Sequence, residues 1–444
     1  MKTGKLDKGN TLLNKFYDPA AFVLFVLVAL FVIGVWNYAE EMPGIDYYVA
    51  WVAADATRNG SEHTIYSKEG RYRTGREYRA AALDENPDSR QAVSAQIQSV
   101  PHMTATPFLY WVIRLFSSGD YEADLTAWHA IALVLFVFGV VVFCRMNGYS
   151  SAALLAILLP CLVWMEPLHS DLRVANVNSF QVGMLGLILL LLARDSDRRM
   201  LFAAGFVLAL LVMFKPNLAP VSVLLPGAWL IRSQYHKLFT GLAGMVAGTL
   251  VAFAVSSYFF GGITAWIDWI ESISSQTYQS VEASQGNFSP GRSFKLGFQG
   301  QAILSLTLCT LVLVFFWWGS RAGGNKPALS VAQRQVITPV EYAQLLGLGC
   351  LVHMFVSSLV WTHYYLLAIP MLIVAFRPWP EGSDRNPTSF LLHRVLPAIA
   401  LLCLMATPIR GFFDMEDLDF YAMVNLTAIC ILALLGLWQL RFQD

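Results

Sequence analysis

The chain has 444 residues, 56% of them hydrophobic and 14% charged, with 30 basic against 30 acidic side chains, and a mean hydropathy of +0.52. That composition excludes a soluble globular domain and specifies an all-α polytopic membrane protein, while the zero net charge excludes a global basic field for nucleic acid. The apolar segments are helix-length rather than short and alternating, which excludes an outer-membrane barrel.

Hydropathy predicts about twelve transmembrane helices. They fall near 20–38, 124–144, 150–165, 175–193, 200–214, 217–232, 238–260, 302–319, 338–360, 364–377, 394–409 and 419–440. The first is read as a retained span, because no small-residue cleavage site follows a short apolar core. The segment 105–117 is apolar but short and carries Pro107 and Arg114, so it is expected as a juxtamembrane or re-entrant helix. All six cysteines lie within or at the edge of apolar segments. They read as small buried hydrophobes, not as a disulfide framework or a zinc site.

With the N-terminus inside, every short inside loop is basic: Lys2, Lys5, Lys8 and Lys15, then Arg145, Arg194, Arg198 and Arg199, Arg232 and Lys237, Arg321, Lys326 and Arg334, Arg377, Arg385 and Arg394, and Arg441. This predicts cytoplasmic tails at 1–19 and 441–444 around one membrane domain over 20–440, in the plasma (inner) membrane. It also places 39–123, 166–174, 261–301, 361–364 and 410–418 on the outer side. The first of these is a long loop with juxtamembrane helices and a basic stretch at Lys68, Arg71, Arg73, Arg76 and Arg79.

Polar chemistry concentrates in those outer segments. Asp46 opens the helical-looking run Tyr47-Tyr48-Val49-Ala50-Trp51. An aspartate there serves either as an N-cap or as a general base; Asp55, farther along, is the competing acid. In the second outer segment, Arg173, Asn176, Asn178 and Gln181 stand at the start of the next span, with Asn178 and Gln181 on one helix face. They suit either phosphate and sugar hydroxyls or capping and interhelical hydrogen bonds. Lys215, between two apolar runs, either snorkels or holds an anionic headgroup. Gln285-Gly286-Asn287-Phe288-Ser289-Pro290-Gly291 is a turn-rich loop, read as a surface loop or as one folding back over the site. In Trp361-Thr362-His363-Tyr364-Tyr365 the aromatic residues suit an interfacial belt, and His363 is the unusual member, placed to contact a phosphate or orient a carboxylate.

In order along the chain, Gly44-Ile45-Asp46-Tyr47-Tyr48, Gly60, Ile65-Tyr66, Thr104-Ala105-Thr106-Pro107-Phe108, Asn176-Val177-Asn178, Lys215-Pro216, Gly286-Asn287-Phe288-Ser289 and Ser358 to Tyr364 together resemble the motifs of glycosyltransferase family 87. Leu359 and Ala175 depart from the family's usual proline and glycine. The resemblance implies a GT-C-like fold and an enzyme that moves one sugar, mannose foremost, from a polyprenyl-phosphate donor to a glycolipid or polysaccharide acceptor on the outer face. It implies an inverting mechanism with Asp46 as general base. Lys215, His363 and Arg173 would hold the donor phosphate, and Asn176, Asn178, Gln181, Asn287, Ser289 and Tyr364 would contact sugar or acceptor. No acidic pair is arranged for a metal, and no cofactor is expected. The alternatives are a transporter or flippase of lipid-linked saccharides, against which the absence of an inverted repeat counts, and an enzyme like an O-antigen ligase or polymerase, which usually carries its large outer loop in the second half of the chain.

Overall fold

The computed structural model describes residues 19–58, 65–99, 104–276, 287, 289–322, 336–377, 390–405 and 418–441. The two tails, apart from Pro19 and Arg441, together with Gly60, Gln285, Gly286, Phe288, Lys326, Arg334 and Arg385, lie outside the described residues. Among the described residues all regular structure is helical.

In chain order, α1 (Pro19–Glu41) is followed by four helices: α2 (Ile45–Arg58), α3 (Lys68–Glu85), α4 (Arg90–Ile97) and α5 (Pro107–Phe116). Then come α6 (Tyr121–Met146), α7 (Ser151–Trp164), α8 (Glu166–Val174), α9 (Asn178–Leu192), α10 (Arg198–Phe214) and α11 (Ala219–Ile231). The remainder comprises α12 (Tyr235–Phe259), α13 (Thr264–Gln276), α14 (Pro290–Ser293), α15 (Phe298–Ala322) and α16 (Pro339–Val356), a 3₁₀ segment over Thr362–Ala368, α17 (Ile369–Ala375), α18 (Leu396–Leu404) and α19 (Leu418–Arg441).

Six of these helices, α1, α6, α12, α15, α16 and α19, are long and apolar enough to cross a bilayer, and the pair α7–α8, bent by 57°, makes a seventh if taken as one span. The expected twelve are therefore not all full-length helices. The other five predicted spans correspond to α9, α10, α11, the segment Thr362–Ala375 and the segment Leu391–Leu404, none longer than 17 residues. Hydropathy registers apolar content but not the point at which the backbone breaks. At Met165, for instance, the chain is extended just before Pro167, which stands at the start of α8.

Two cores result. The larger is aliphatic and centres on α16, 78% of whose apolar window is buried, against 17% for α1 and α15 at the periphery. Exposed Phe25, Leu30, Leu250 and Leu306 give the peripheral helices a lipid-facing surface. Backbones of α10 and α12 meet closely because Gly205, Gly244 and Gly248 have no side chain; a Cβ at Gly244 would lie 2.1 Å from the Phe202 carbonyl oxygen. The second core is aromatic and holds α2 and α5 against the ends of α6 and α12, through Tyr48, Trp51, Tyr110, Tyr121, Trp128 and Phe260. Its polar tie is Asp124, which accepts from Trp51 Nε1 at 2.9 Å and from the backbone amide of Ser118. The described residues between α1 and α6 thus form a packed set of four helices.

Candidate active site

Asp46 is placed by the turn that precedes it. Gly44 has φ +69°, and any side chain there would collide with Leu125. The turn is fixed from three directions: Tyr121 and Ser94 hydroxyls donate to the Pro43 carbonyl, both at 2.6 Å, and the Gly44 amide donates to the Arg173 carbonyl at 3.3 Å. Asp46 falls in the first turn of α2, where the helix dipole favours its negative charge. It is not an N-cap: its carboxylate turns away to a side chain on another helix, and the helix begins at Ile45.

That side chain is Asn176. Its Nδ2 donates to Asp46 Oδ2 at 2.6 Å, and its Oδ1 accepts from Lys215 Nζ at 2.8 Å and from the Val177 amide at 2.7 Å. Because an ammonium only donates, Lys215 fixes which end of the amide is oxygen. The Asn176 NH₂ therefore faces both Asp46 and His363 Nε2, the latter at 3.2 Å. That nitrogen must accept, so the His363 proton sits on Nδ1. His363 Nε2 also lies 3.9 Å from Asp46 Oδ2.

Lys215 is delivered by a break between helices. It ends α10 in extended conformation, just before Pro216. Thr106, which caps α5 through the Leu109 amide, donates its hydroxyl to the Met213 carbonyl at 2.7 Å and clamps this break from outside. The ammonium lies 4.3 Å from the centre of the Tyr364 ring, a cation–π contact, and the His363 ring stands 4.9 Å from that of Tyr364.

Protonation follows from burial and neighbours. The Asp46 carboxyl is pushed up, first by burial, with Asn176 and Lys215 opposing and Asp171 adding to the rise. Its side chain is nonetheless 34% exposed, so a solvent-borne group reaches it. Burial pushes the Lys215 ammonium down to about 8, while Asp171 and Asp46 hold it up. His363 is pushed well below the usual histidine range by burial, then by Lys215 and Arg173, and is neutral near pH 7. The cluster thus presents a reachable carboxylate, a cation and a neutral imidazole around one amide.

The profile of glycosyltransferase family 87 matches residues 104–345, more than half of the chain. The chain belongs to glycosyltransferase family 87. No curated protein matches it, and no solved structure does. As a family 87 member it is a glycosyltransferase built on a multi-pass arrangement of apolar helices. The matched segment carries Asn176 and Lys215, whereas Asp46, His363 and Tyr364 lie outside it. Hydrogen bonds to Asn176 join both Asp46 and His363 directly to the family 87 segment.

The other residues singled out from the family 87 motifs divide. Asn178 donates to Asp171 at 2.9 Å and lies 3.4 Å from Asn176 Oδ1, directly behind the cluster. Arg173 is exposed in the last turn of α8, and its charge is felt at His363. Gln181 is not brought to Asp46: it forms a closed reciprocal amide pair with Asn217, at 2.6 and 2.9 Å. Asn287 and Ser289 are buried and bond to backbone, Asn287 to the Ser358 carbonyl and the Val360 amide and Ser289 to the Ser357 carbonyl. They pin the strap that leads into His363. Asp55 accepts from Tyr78 on α3 at 2.6 Å. Among the described residues no three metal-ligating side chains converge.

Sequence reasoning passed over Asp171, Asn217 and the clamp made by Thr106. Asp171 left a signal: α9 has no side-chain cap of its own at Val177, and the nearest upstream acid takes that role by accepting from the Ser179 amide and hydroxyl at 2.9 and 2.6 Å.

Proposed function

We propose that this glycosyltransferase moves a single sugar, mannose foremost, from a polyprenyl-phosphate donor to a hydroxyl of a glycolipid or polysaccharide acceptor, on the outer face of the plasma membrane, with inversion at the anomeric carbon. In this reading Asp46 takes the acceptor's proton as the hydroxyl attacks opposite the phosphate. Lys215 stabilises the charge that grows on the departing phosphate, with the Nδ1–H of His363 as a neutral donor and Arg173 at the rim. Because the leaving group is already a phosphate, no strong general acid is required. Asn176 holds base and cation at fixed separation, and Asn178 supports it from behind.

The observation that carries this reading is the Asp46–Asn176–Lys215 relay, in which a partly exposed carboxylate and an ammonium share one amide. The proposed topology, with both termini cytoplasmic, draws support from the same relay. Asp46 and His363 belong to segments assigned to the outer side from loop charge, and they meet at an amide two residues past a third such segment.

The test is sugar transfer by membranes carrying wild-type protein or Asp46→Asn, supplied with a panel of radiolabelled polyprenyl-phosphate sugars. The expected outcome is transfer from one donor, lost in the variant while the protein still inserts. Full activity of Asp46→Asn would remove Asp46 from the mechanism. Movement of lipid-linked sugar between leaflets without transfer to any acceptor would replace the reading with a flippase.

A further inference from the structure

Tyr364 has a second imidazole beside it that the mechanism above does not use. His353 lies in the last turn of α16, and its ring stands 5.9 Å from the Tyr364 ring. Tyr364 in turn carries Lys215 over its face at 4.3 Å and His363 beside it at 4.9 Å. Three nitrogen-bearing side chains from three different elements therefore surround one aromatic ring. His353 is also within the electrostatic reach of Lys215.

What separates His353 from its neighbours is an unmet bond. Its Nε2 is buried and has no hydrogen-bond partner among the described residues. A buried ring nitrogen without a partner costs free energy, and an instance in a folded chain calls for an explanation. A second cation at this point would be repelled by Lys215. A neutral imidazole with its proton on Nε2 adds a hydrogen-bond donor without adding charge, which suits a site that must hold an anion next to an existing ammonium.

We infer that His353 is a further donor-binding residue, whose Nε2–H takes an oxygen of the lipid-linked phosphate beside Tyr364. This inference rests on the polyprenyl-phosphate reading given above. Tyr364 then keeps the three side chains next to one another, and the missing partner of Nε2 is supplied only when the donor is bound. The contact distinguishes a prenyl phosphate from a prenyl alcohol and leaves the acceptor side, at Asp46, untouched.

The test is binding by the purified full-length protein in detergent of farnesyl phosphate and, separately, of farnesol, for wild type, His353→Phe, His353→Gln and Lys215→Ala. Phenylalanine keeps the ring against Tyr364 but removes the N–H; glutamine restores an N–H at similar reach. The expected result is a loss of about ten-fold or more in farnesyl phosphate affinity for His353→Phe, no change for farnesol, and near wild-type binding for His353→Gln. Wild-type affinity of His353→Phe for farnesyl phosphate overturns the inference, as does an equal loss for both probes, which marks a packing role. If wild type and Lys215→Ala do not distinguish the phosphate from the alcohol, the donor reading itself falls and takes this inference with it. Should the phenylalanine variant not fold, the imidazole ¹⁵N resonances of His353 in the wild type decide: a shift with farnesyl phosphate and none with farnesol supports the contact, and no shift with either overturns it.

Discussion

Asp46 and Asp171 are two carboxylates that both act on the Lys215 ammonium, and burial pushes both up. Their surroundings differ in one decisive respect. Asp171 is 1% exposed and holds three donors: Asn178 Nδ2, the Ser179 amide and the Ser179 hydroxyl. Asp46 accepts one strong bond, from Asn176, and keeps a third of its side chain open. A carboxylate with three of its four lone-pair sites taken and almost no exposure has no approach path for a proton in transit and serves to cap α9. One at the rim with a single strong bond has spare capacity and an approach path. Charge and proximity to lysine do not tell the two acids apart; exposure and free acceptor capacity do, and on the proposed reading they mark Asp46 as the reactive one.

The strongest way to break this comparison is to neutralise each acid. Asp46→Asn should lower the transfer rate on the order of 10²- to 10⁴-fold, the usual contribution of a general base, with an unchanged thermal midpoint. Asp171→Asn should do the reverse first. By placing an NH₂ where three donors converge, it should lower stability by about 2 kcal/mol or more, seen as an earlier melting transition in detergent. Rate loss without destabilisation in Asp171→Asn would make it the reactive acid.

Removing the shared amide should have a smaller effect. Asn176→Ala separates Asp46 from Lys215 and should cost about ten- to hundred-fold in kcat/KM, the scale of a hydrogen bond to a charged group. An intact rate would show that base and cation need no tether.

The pH profile sharpens the contrast further. A base must be deprotonated to act, so activity should rise with pH through the elevated midpoint of Asp46. If Lys215 is the phosphate partner, as proposed, it must be protonated, so activity should fall as Lys215 titrates at about 8. Lys215→Arg should retain a bell's acid limb and lose its alkaline limb, because a guanidinium stays charged; an unmoved alkaline limb would assign it to another group.

The smallest expected effect concerns Ala175, which ends α8 with φ +53°. Ala175→Gly removes backbone strain of about 1 kcal/mol but also a buried methyl worth about 0.8 kcal/mol. Stability should stay within about 0.5 kcal/mol of wild type, and a large loss of activity would show that the methyl itself shapes the loop carrying Asn176.

Much of this molecule was legible in the chain. Apolar content and helix-length runs were enough for an all-helical membrane protein, since backbone polar groups in lipid must be satisfied within each segment. Asp46, Asn176, Lys215 and His363 stood out as polar residues at the edges of apolar runs, each with a structural and a functional reading open to it. Local sequence could not say that the amide of Asn176 joins the other three, because Asp46 lies 130 positions and His363 187 positions away from it. Nor could it say that Gln181, one turn farther along α9, turns instead to Asn217. A helix face is set by periodicity, but what that face meets is set by the packing of other elements. The number of full-length spans, the closing of Gln181 into a private pair, the burial of Asp171 and the openness of Asp46 were all decided by tertiary structure. Each depends on where a second chain segment comes to rest, and a hydrogen bond between distant residues leaves no mark on either one's neighbours in sequence.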